Sequence, residues 1–326
     1  MRTLEVAHET WPLASVFRIS RDAKHESHVV TVRIGQDGRF GRGEGVPYGR
    51  YGESPRSVLQ QVEAARQAIE AGIDRDGLLE LMPAGAARSA VDCALWDLEA
   101  KLSDRRAWEI AGIAAPNGLV TAYTLSLDTA ENMGRAAAAA AERPLLKLKL
   151  TGEGDVARVG AVRDAAPGAR LIVDANEAWR PEMLAAHGAA MAGLGVDLIE
   201  QPLPADDDGA LASAPHPVPI CADESCHVAA DVPALKDRYD VVNVKLDKTG
   251  GLTAALDLVA AARAAGLGVM VGCMVGSSLA MAPAMIAAAQ AEFVDLDGPL
   301  LLARDREPPI TFRGSKMELP PPELWG

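Results

Sequence analysis

The 326-residue sequence contains no apolar run of the 18 or more residues that a membrane helix requires. Met1 to Val16 carries polar and acidic residues early and lacks the apolar centre of a secretion signal. Basic residues are in deficit. There are 32 Lys and Arg against 45 Asp and Glu, a formal net charge of −13, which disfavours nucleic acid as a partner. An anionic small molecule is still allowed, because a local site can oppose the global sign. Cysteine is sparse: Cys93, Cys221, Cys226 and Cys273 form no Cys-x-x-Cys spacing. We read them as reduced thiols of a cytoplasmic protein rather than as zinc ligands. No Gly-x-Gly-x-x-Gly follows an early strand, which argues against an open dinucleotide-binding sheet. His187, His216 and His227 avoid strand ends, so a His–Asp catalytic pair is not expected. Hydrophobic residues make up 49% of the chain, which excludes global disorder. The length suits two ordinary domains or a barrel with a smaller companion.

The first third reads as a compact α+β unit. His28 to Ile34 is a β-branched run, followed by a Gln36-Asp37-Gly38 turn and a return strand over Phe40 to Glu44. Residues 3–9 supply a third antiparallel strand. Ser54-Pro55 marks a helix start, and that helix stops at Gly72. A second long helix spans Ala86 to Ser103, with Trp96 as a packing residue.

From about residue 120, short apolar strands alternate with Ala-rich helices. Strand starts near Ala122, Leu145, Leu171, Asp197, Pro219, Val241, Gly268 and Phe293 recur at roughly 22–27 residues. Eight such units predict a closed barrel of parallel strands. Domain limits follow: 1–118 for the α+β unit, 119–302 for the barrel, and 303–326 for a tail that folds back on the first domain.

Barrel enzymes carry their chemistry at the C-terminal ends of the strands. In Leu145 to Leu150, strand periodicity turns Lys147 and Lys149 to one face and the leucines to the other. Facing inward, the two ammonium groups repel and lose solvation, which lowers a lysine pKa toward that of a proton acceptor. The competing reading leaves both lysines in solvent. The next three strands end on Asp174, Glu200 and Asp223. Converging, these acids invite a hard divalent cation, Mg2+ in the first instance. Taken singly, each is a helix cap. Lys245 ends the sixth strand, across the barrel from Lys149, a placement suited to two-base proton transfer. Asp295 and Asp297 share a face of the last strand and suit a cationic group such as an ammonium. Cys273 ends the seventh strand and lines the pocket.

This constellation resembles the enolase superfamily, its muconate-lactonizing subgroup, and within that the dipeptide epimerases. The resemblance covers essentially the whole chain. Segments 17–21, 47–54, 83–88 and 295–299 are similar to proteobacterial L-Ala-D/L-Glu epimerases. It implies a modified (β/α)7β barrel whose mouth is closed by an N-terminal α+β capping domain. It implies Lys149 and Lys245 as the two bases, and Lys147 as the group that keeps the Lys149 pKa low. It also implies Asp174, Glu200 and Asp223 as Mg2+ ligands (Mn2+ a possible substitute), with Asn176 beside them. Asp295 and Asp297 would hold the α-ammonium of a dipeptide. Arg21, Lys24 and Arg50 are candidates for its distal carboxylate, with His25 as a further contact. A place in recycling cell-wall peptides is the implied role. Alternatives are a dipeptide epimerase of other side-chain specificity, or a cycloisomerase or o-succinylbenzoate synthase-like enzyme. Homo-oligomerisation stays open.

Overall fold

The computed structural model describes residues 2–326. The chain opens with an antiparallel sheet of β1 (Thr3–Arg18), β2 (Ala23–Gln36) and β3 (Arg39–Gly45), in that order. Its β2–β3 turn is the two-residue Asp37-Gly38, both at positive φ, as a tight hairpin requires. Helices α1 (Pro55–Ala71), α2 (Arg75–Leu81) and α3 (Ala86–Ser103) cover one face. Ser54 caps α1 reciprocally with Ser57, and Gly72 closes it in the left-handed conformation. Val30, Val32 and Ile34 of the sheet pack on Val58, Val62, Ala90 and Ala94 of the helices. Gly41 and Gly43 allow β3 to lie directly on α3, since a Cβ at Gly43 would come within 2.0 Å of the Ala90 carbonyl oxygen. This is the capping domain. The short α4 (Ala107–Ile110) follows it.

The second unit is an eight-stranded parallel sheet. Its strands are β4 (Tyr123–Leu125), β5 (Leu145–Lys149), β6 (Arg170–Asp174), β7 (Leu198–Glu200), β8 (Ile220–Ala222), β9 (Val241–Val244), β10 (Gly268–Gly272) and β11 (Phe293–Asp295). They pair in sequential order, and the Ala122 N–H donates to the Val294 carbonyl at 2.8 Å, drawing the two edges together. The outer helices include α5 (Ala130–Ala139), α6 (Asp155–Ala165), α7 (Leu184–Gly193) and α8 (Val232–Leu235). After β9 come a single turn, α9 (Leu246–Thr249), and then α10 (Leu252–Ala264); α11 (Ser278–Ala288) follows β10 and a one-turn α12 (Gly298–Leu301) follows β11. The α/β barrel with a capping domain matches the sequence expectation.

Strand alternation decides what faces the barrel axis. Leu146, Leu148 and Leu150 join the apolar layer between strands and helices. Inside, Ala122, Leu145, Ile172, Leu198, Cys221, Val241, Met270 and Phe293 form a separate apolar plug, one residue from or beside each strand. Because side chains repeat every two residues, the next inward ring is two positions on. That ring is Thr124, Lys147, Asp174, Glu200, Asp223, Asn243, Gly272 and Asp295. The barrel is therefore sealed by apolar side chains at one end and lined by charge at the other.

The C-terminal tail runs back to the capping domain. Trp325 is buried, its indole N–H donating to the Cys93 carbonyl of α3 at 3.0 Å. The Gly326 N–H donates to Asp97 at 2.7 Å. Among the described residues no helix is long and apolar enough to cross a membrane. All four cysteines are unpaired, and only Cys273 is more than slightly exposed.

Candidate active site

A cleft opens over the polar ring, between the barrel mouth and the β1–β2 connection of the capping domain. Lys147, Lys149 and Lys245 line it together with Asp223, Asp295 and Asp297. In the strand order β9 is four places from β5, so Lys149 and Lys245 reach the cleft from opposite sides. The structure thus brings together the lysines and the ring acids expected from sequence.

Asp174 and Glu200 are paired neighbours on β6 and β7, and Asp223 lies two residues past Cys221, the partner of Glu200 on β8. All three are fully buried. Among the described residues no three such donors converge on a single point at ligand distance. Each carboxylate instead meets an ammonium group. Lys149 Nζ donates to Asp174 at 2.5 Å and Lys245 Nζ to Asp223 at 2.6 Å. Lys147 Nζ lies 2.6 Å from Glu200, 2.7 Å from Asp295 and 3.3 Å from Asp174. Glu200 Oε2 makes this close ion contact without an oriented hydrogen bond, so it keeps accepting capacity. The donor set fits a hard divalent cation: three oxygen-bearing anions, closely spaced, none of them sulfur or imidazole.

The electrostatics correct one expectation. Burial lowers the pKa of Lys147, as anticipated, but Asp295, Glu200 and Asp174 outweigh it and hold the group well above the ordinary lysine value. Lys245 behaves alike: burial is overcome by Asp223 and Glu200. At Lys147 and Lys245 the repulsion between ammonium groups is outweighed, because each sits within hydrogen-bond reach of a carboxylate. Burial and the neighbouring Asp174 charge push Glu200 upward. For Asp223, burial is overcome by Lys245 and Lys248, which hold it well below the usual carboxylate range.

Lys248 is a group that sequence reading passed over. Fully buried on α9, its Nζ donates to the Asp223 side chain at 2.7 Å, and to the Asp223 and Asn243 carbonyls at 2.5 and 3.0 Å. Nothing in a strand-end pattern flags it; only the fold of α9 turns it inward. Asn243 is the second omission. Its amide donates to Glu200 at 2.7 Å. Gly272 makes room for it, since a Cβ there would lie 2.7 Å from Asn243 Oδ1.

On the last strand, Asp295 Oδ2 accepts from Lys147 while Oδ1 is buried with no partner. Asp297 Oδ2 accepts the Thr124 N–H at 2.6 Å, and burial plus the Asp295 charge raise its pKa. Both carboxylates face the cleft, so acceptor capacity for a cation is present there. Asn176 also lines the cleft, at φ 45°, with Glu177 at 68° and Gln201 at 34°. Three non-glycine residues in the left-handed region after β6 and β7 mark stored strain at the barrel mouth.

The three capping-domain cations separate. Arg21 donates to the Asn176 carbonyl at 2.6 Å, to Glu177 at 2.9 Å and to Glu224 at 2.7 Å. Arg50 grips Glu177 through two nitrogens, at 3.0 and 2.7 Å. Both guanidinium groups are thus engaged, tying the capping loops to the barrel. Lys24 lines the cleft, its Nζ 5.2 Å from the Tyr48 ring centroid, and makes no ion pair among the described residues. Burial lowers its pKa. His25, next on the strand, points to the exposed face and does not join the site. Cys273 lines the cleft as expected, its thiol pushed well up by burial. Glu177 and Glu224, which hold the arginines, directly follow predicted motifs yet carried no signal of their own.

Comparison with known proteins agrees with this geometry. Residues 1–112 match the mandelate racemase / muconate lactonizing enzyme N-terminal domain, and residues 130–321 match the enolase C-terminal domain-like family. The chain belongs to the mandelate racemase/muconate lactonizing branch of the enolase superfamily. Within this branch it is 47% identical over 321 residues to the L-Ala-D/L-Glu epimerase of Escherichia coli K12, covering 98% of this chain and 100% of that one. It is 45% identical over 300 residues to an N-acetyl-D-glutamate racemase of Pseudoalteromonas, covering 91% and 95%. A solved enolase family member from Agrobacterium tumefaciens, with homology to dipeptide epimerases and with bound sodium and L-Ala-L-Glu, superposes with a TM-score of 0.98 at 50% identity over 100% of both chains. A dipeptide epimerase from Enterococcus faecalis V583, complexed with Mg and L-Leu-L-Tyr, superposes at 0.91 with 28% identity over 97% and 96%.

Proposed function

We propose that this chain is a dipeptide epimerase that interconverts L-Ala-L-Glu and L-Ala-D-Glu, with Mg2+ held by Asp174, Glu200 and Asp223 and Mn2+ as a working substitute. The observation that carries the reading is the shared cleft: two lysines from opposite sides of the barrel, and a carboxylate pair with an unused buried oxygen on the last strand. When bound, the ion stabilises negative charge developing on the substrate carboxylate. Lys149 and Lys245 then exchange the α-proton, one removing it and the other delivering a proton to the opposite face. One of them must begin neutral. Asp223 and Glu200 hold Lys245 in its charged form, so it serves as a base only when Asp223 is engaged elsewhere. Asp295 and Asp297 take the α-ammonium, replacing its lost solvation with charge-assisted hydrogen bonds. Lys24 faces the distal carboxylate, while Arg21 and Arg50 fix the loops that carry it. Recycling of cell-wall peptides is the cellular setting this substrate implies.

A cycloisomerase or an o-succinylbenzoate synthase-like enzyme would use the same lysines and ion. Neither needs an acceptor for an ammonium, so the open oxygen of Asp295 favours a substrate with a free amine. The test is a dipeptide library with Mg2+ in deuterated water, read by mass shift, with N-acetylglutamate included. L-Ala-L-Glu and L-Ala-D-Glu should head the list. Faster exchange of N-acetylglutamate, or no exchange by any dipeptide, would overturn the assignment.

A further inference from the structure

Lys149 and Lys245 are anchored in different ways. Lys149 is the last residue of β5, held within the barrel ladder opposite Asp174 on β6. Lys245 lies one residue beyond β9, outside any ladder, as the residue that opens α9. Its carbonyl accepts the Lys248 and Thr249 N–H groups, both at 3.0 Å. The position of Lys245 is therefore coupled to the single turn that follows it.

That turn is grasped by the capping domain. Arg88 and Asp92, four residues apart on α3, face the same way. Arg88 donates to the Thr249 carbonyl at 2.6 Å and the Gly250 carbonyl at 3.1 Å, which end α9. Asp92 accepts the Thr253 N–H at 3.0 Å and the Thr253 hydroxyl at 2.6 Å, in the first turn of α10. It serves as an N-cap supplied from another domain, because the residue in that place, Gly251, has no side chain. Two glycines make this possible. A Cβ on Gly250 would stand 2.4 Å from Arg88 Nε, and one on Gly251 2.4 Å from Asp92 Oδ2. A third hold comes from Val46, after β3, whose N–H donates to Asp247 on α9 at 2.9 Å.

We propose that the capping domain positions the second base: Arg88 and Asp92 clasp the turn after Lys245 and set the reach of its ammonium into the cleft, leaving Lys149 to the barrel alone. Arg88 and Asp92 are positioning residues; neither touches the cleft. The inference rests on the two-base reading above, because it assigns the clasp to one of two bases.

The experiment measures α-deuterium uptake from deuterated water by L-Ala-L-Glu and by L-Ala-D-Glu, separately, with Mg2+. Exchange of both epimers by the wild type, together with exchange of only one by Lys245→Ala, establishes two-base chemistry; exchange of neither by the wild type would sink that reading and leave the clasp without a subject. Lys245→Ala identifies the epimer that Lys149 serves. Asp92→Asn, which loses one of two acceptors, and Thr253→Val, which loses one donor from the barrel side, should each slow exchange of the other epimer about tenfold while the Lys149 epimer stays within twofold. Arg88→Lys should fall between them and wild type. The ratio of the two rates is unaffected by a reduced folded fraction, which scales both alike. Equal losses for the two epimers, or an unchanged ratio, would overturn the proposal.

Discussion

Replacing Lys24 by Met tests how the distal side chain is chosen. The capping domain offers three cations near the cleft, but Arg21 and Arg50 already satisfy Glu177 and Glu224. Lys24 lines the cleft without an ion pair among the described residues, and Tyr48 flanks it. A charge-assisted hydrogen bond contributes about 1.5–3 kcal/mol. Its loss lowers kcat/KM for L-Ala-L-Glu by about 10- to 150-fold at 1.4 kcal/mol per decade. Methionine keeps the length and apolar stem, so L-Ala-L-Leu should be turned over as well as before or better. The assay is polarimetry with the two dipeptides in parallel, which makes the ratio independent of enzyme concentration. Arg21→Met should harm both substrates together, since it loosens the loop rather than a substrate contact. If Lys24→Met left the glutamate dipeptide untouched while Arg50→Met abolished its preference, the assignment would be wrong.

Other expectations follow from the same geometry. Asp295→Asn removes the charge proposed to face the substrate ammonium, and kcat/KM for L-Ala-L-Glu should drop at least about 30-fold, roughly 2 kcal/mol, while preference over N-acetylglutamate narrows. Gly272→Ala drives a methyl toward Asn243, the donor to Glu200; a melting experiment should show about 1–3 kcal/mol of destabilisation, and Mg2+ titration by calorimetry should show weaker binding. Asp247 is fully buried, and burial with the charges of Glu53 and Glu44 pushes its carboxyl up to about 8. The folded state therefore keeps a proton that the unfolded chain has released, and stability from this group falls as pH rises from about 4 to about 8. Asp247→Asn escapes that loss, so its stability advantage should grow across this range to about 4 kcal/mol near pH 7 and level off above pH 8. A flat or inverted profile of melting temperature against pH would contradict it.

How much of this was legible in the sequence depended on range. The barrel was, because eight strand starts recur at a crossover spacing and each strand obeys a period of two. The same period carried the inward ring: Lys147, Asp174, Glu200 and Asp295 each stand two residues past a plug residue. The direction of the lysine pKa shifts was not legible. Lys147 and Lys149 are close in sequence, so their repulsion was visible, whereas the stronger attraction on Lys147 comes from Asp174 on β6, Glu200 on β7 and Asp295 on β11. The capping-domain cations were the least legible. Arg21, Lys24 and Arg50 are equivalent as letters, and only the positions of Glu177 and Glu224 show which two are occupied. Lys248 and Asn243 were missed because their roles arise from a turn and from a gap left by Gly272.

The central claim is that two lysines act on opposite faces of one α-carbon. Its most direct measurement is α-deuterium uptake by each epimer in Lys149→Ala and Lys245→Ala, with Mg2+ present. Each variant should lose epimerisation, and each should still exchange one epimer, a different one in the two variants. Loss of exchange with both epimers in one variant, full exchange of both in the other, or surviving epimerisation in either, would contradict the account.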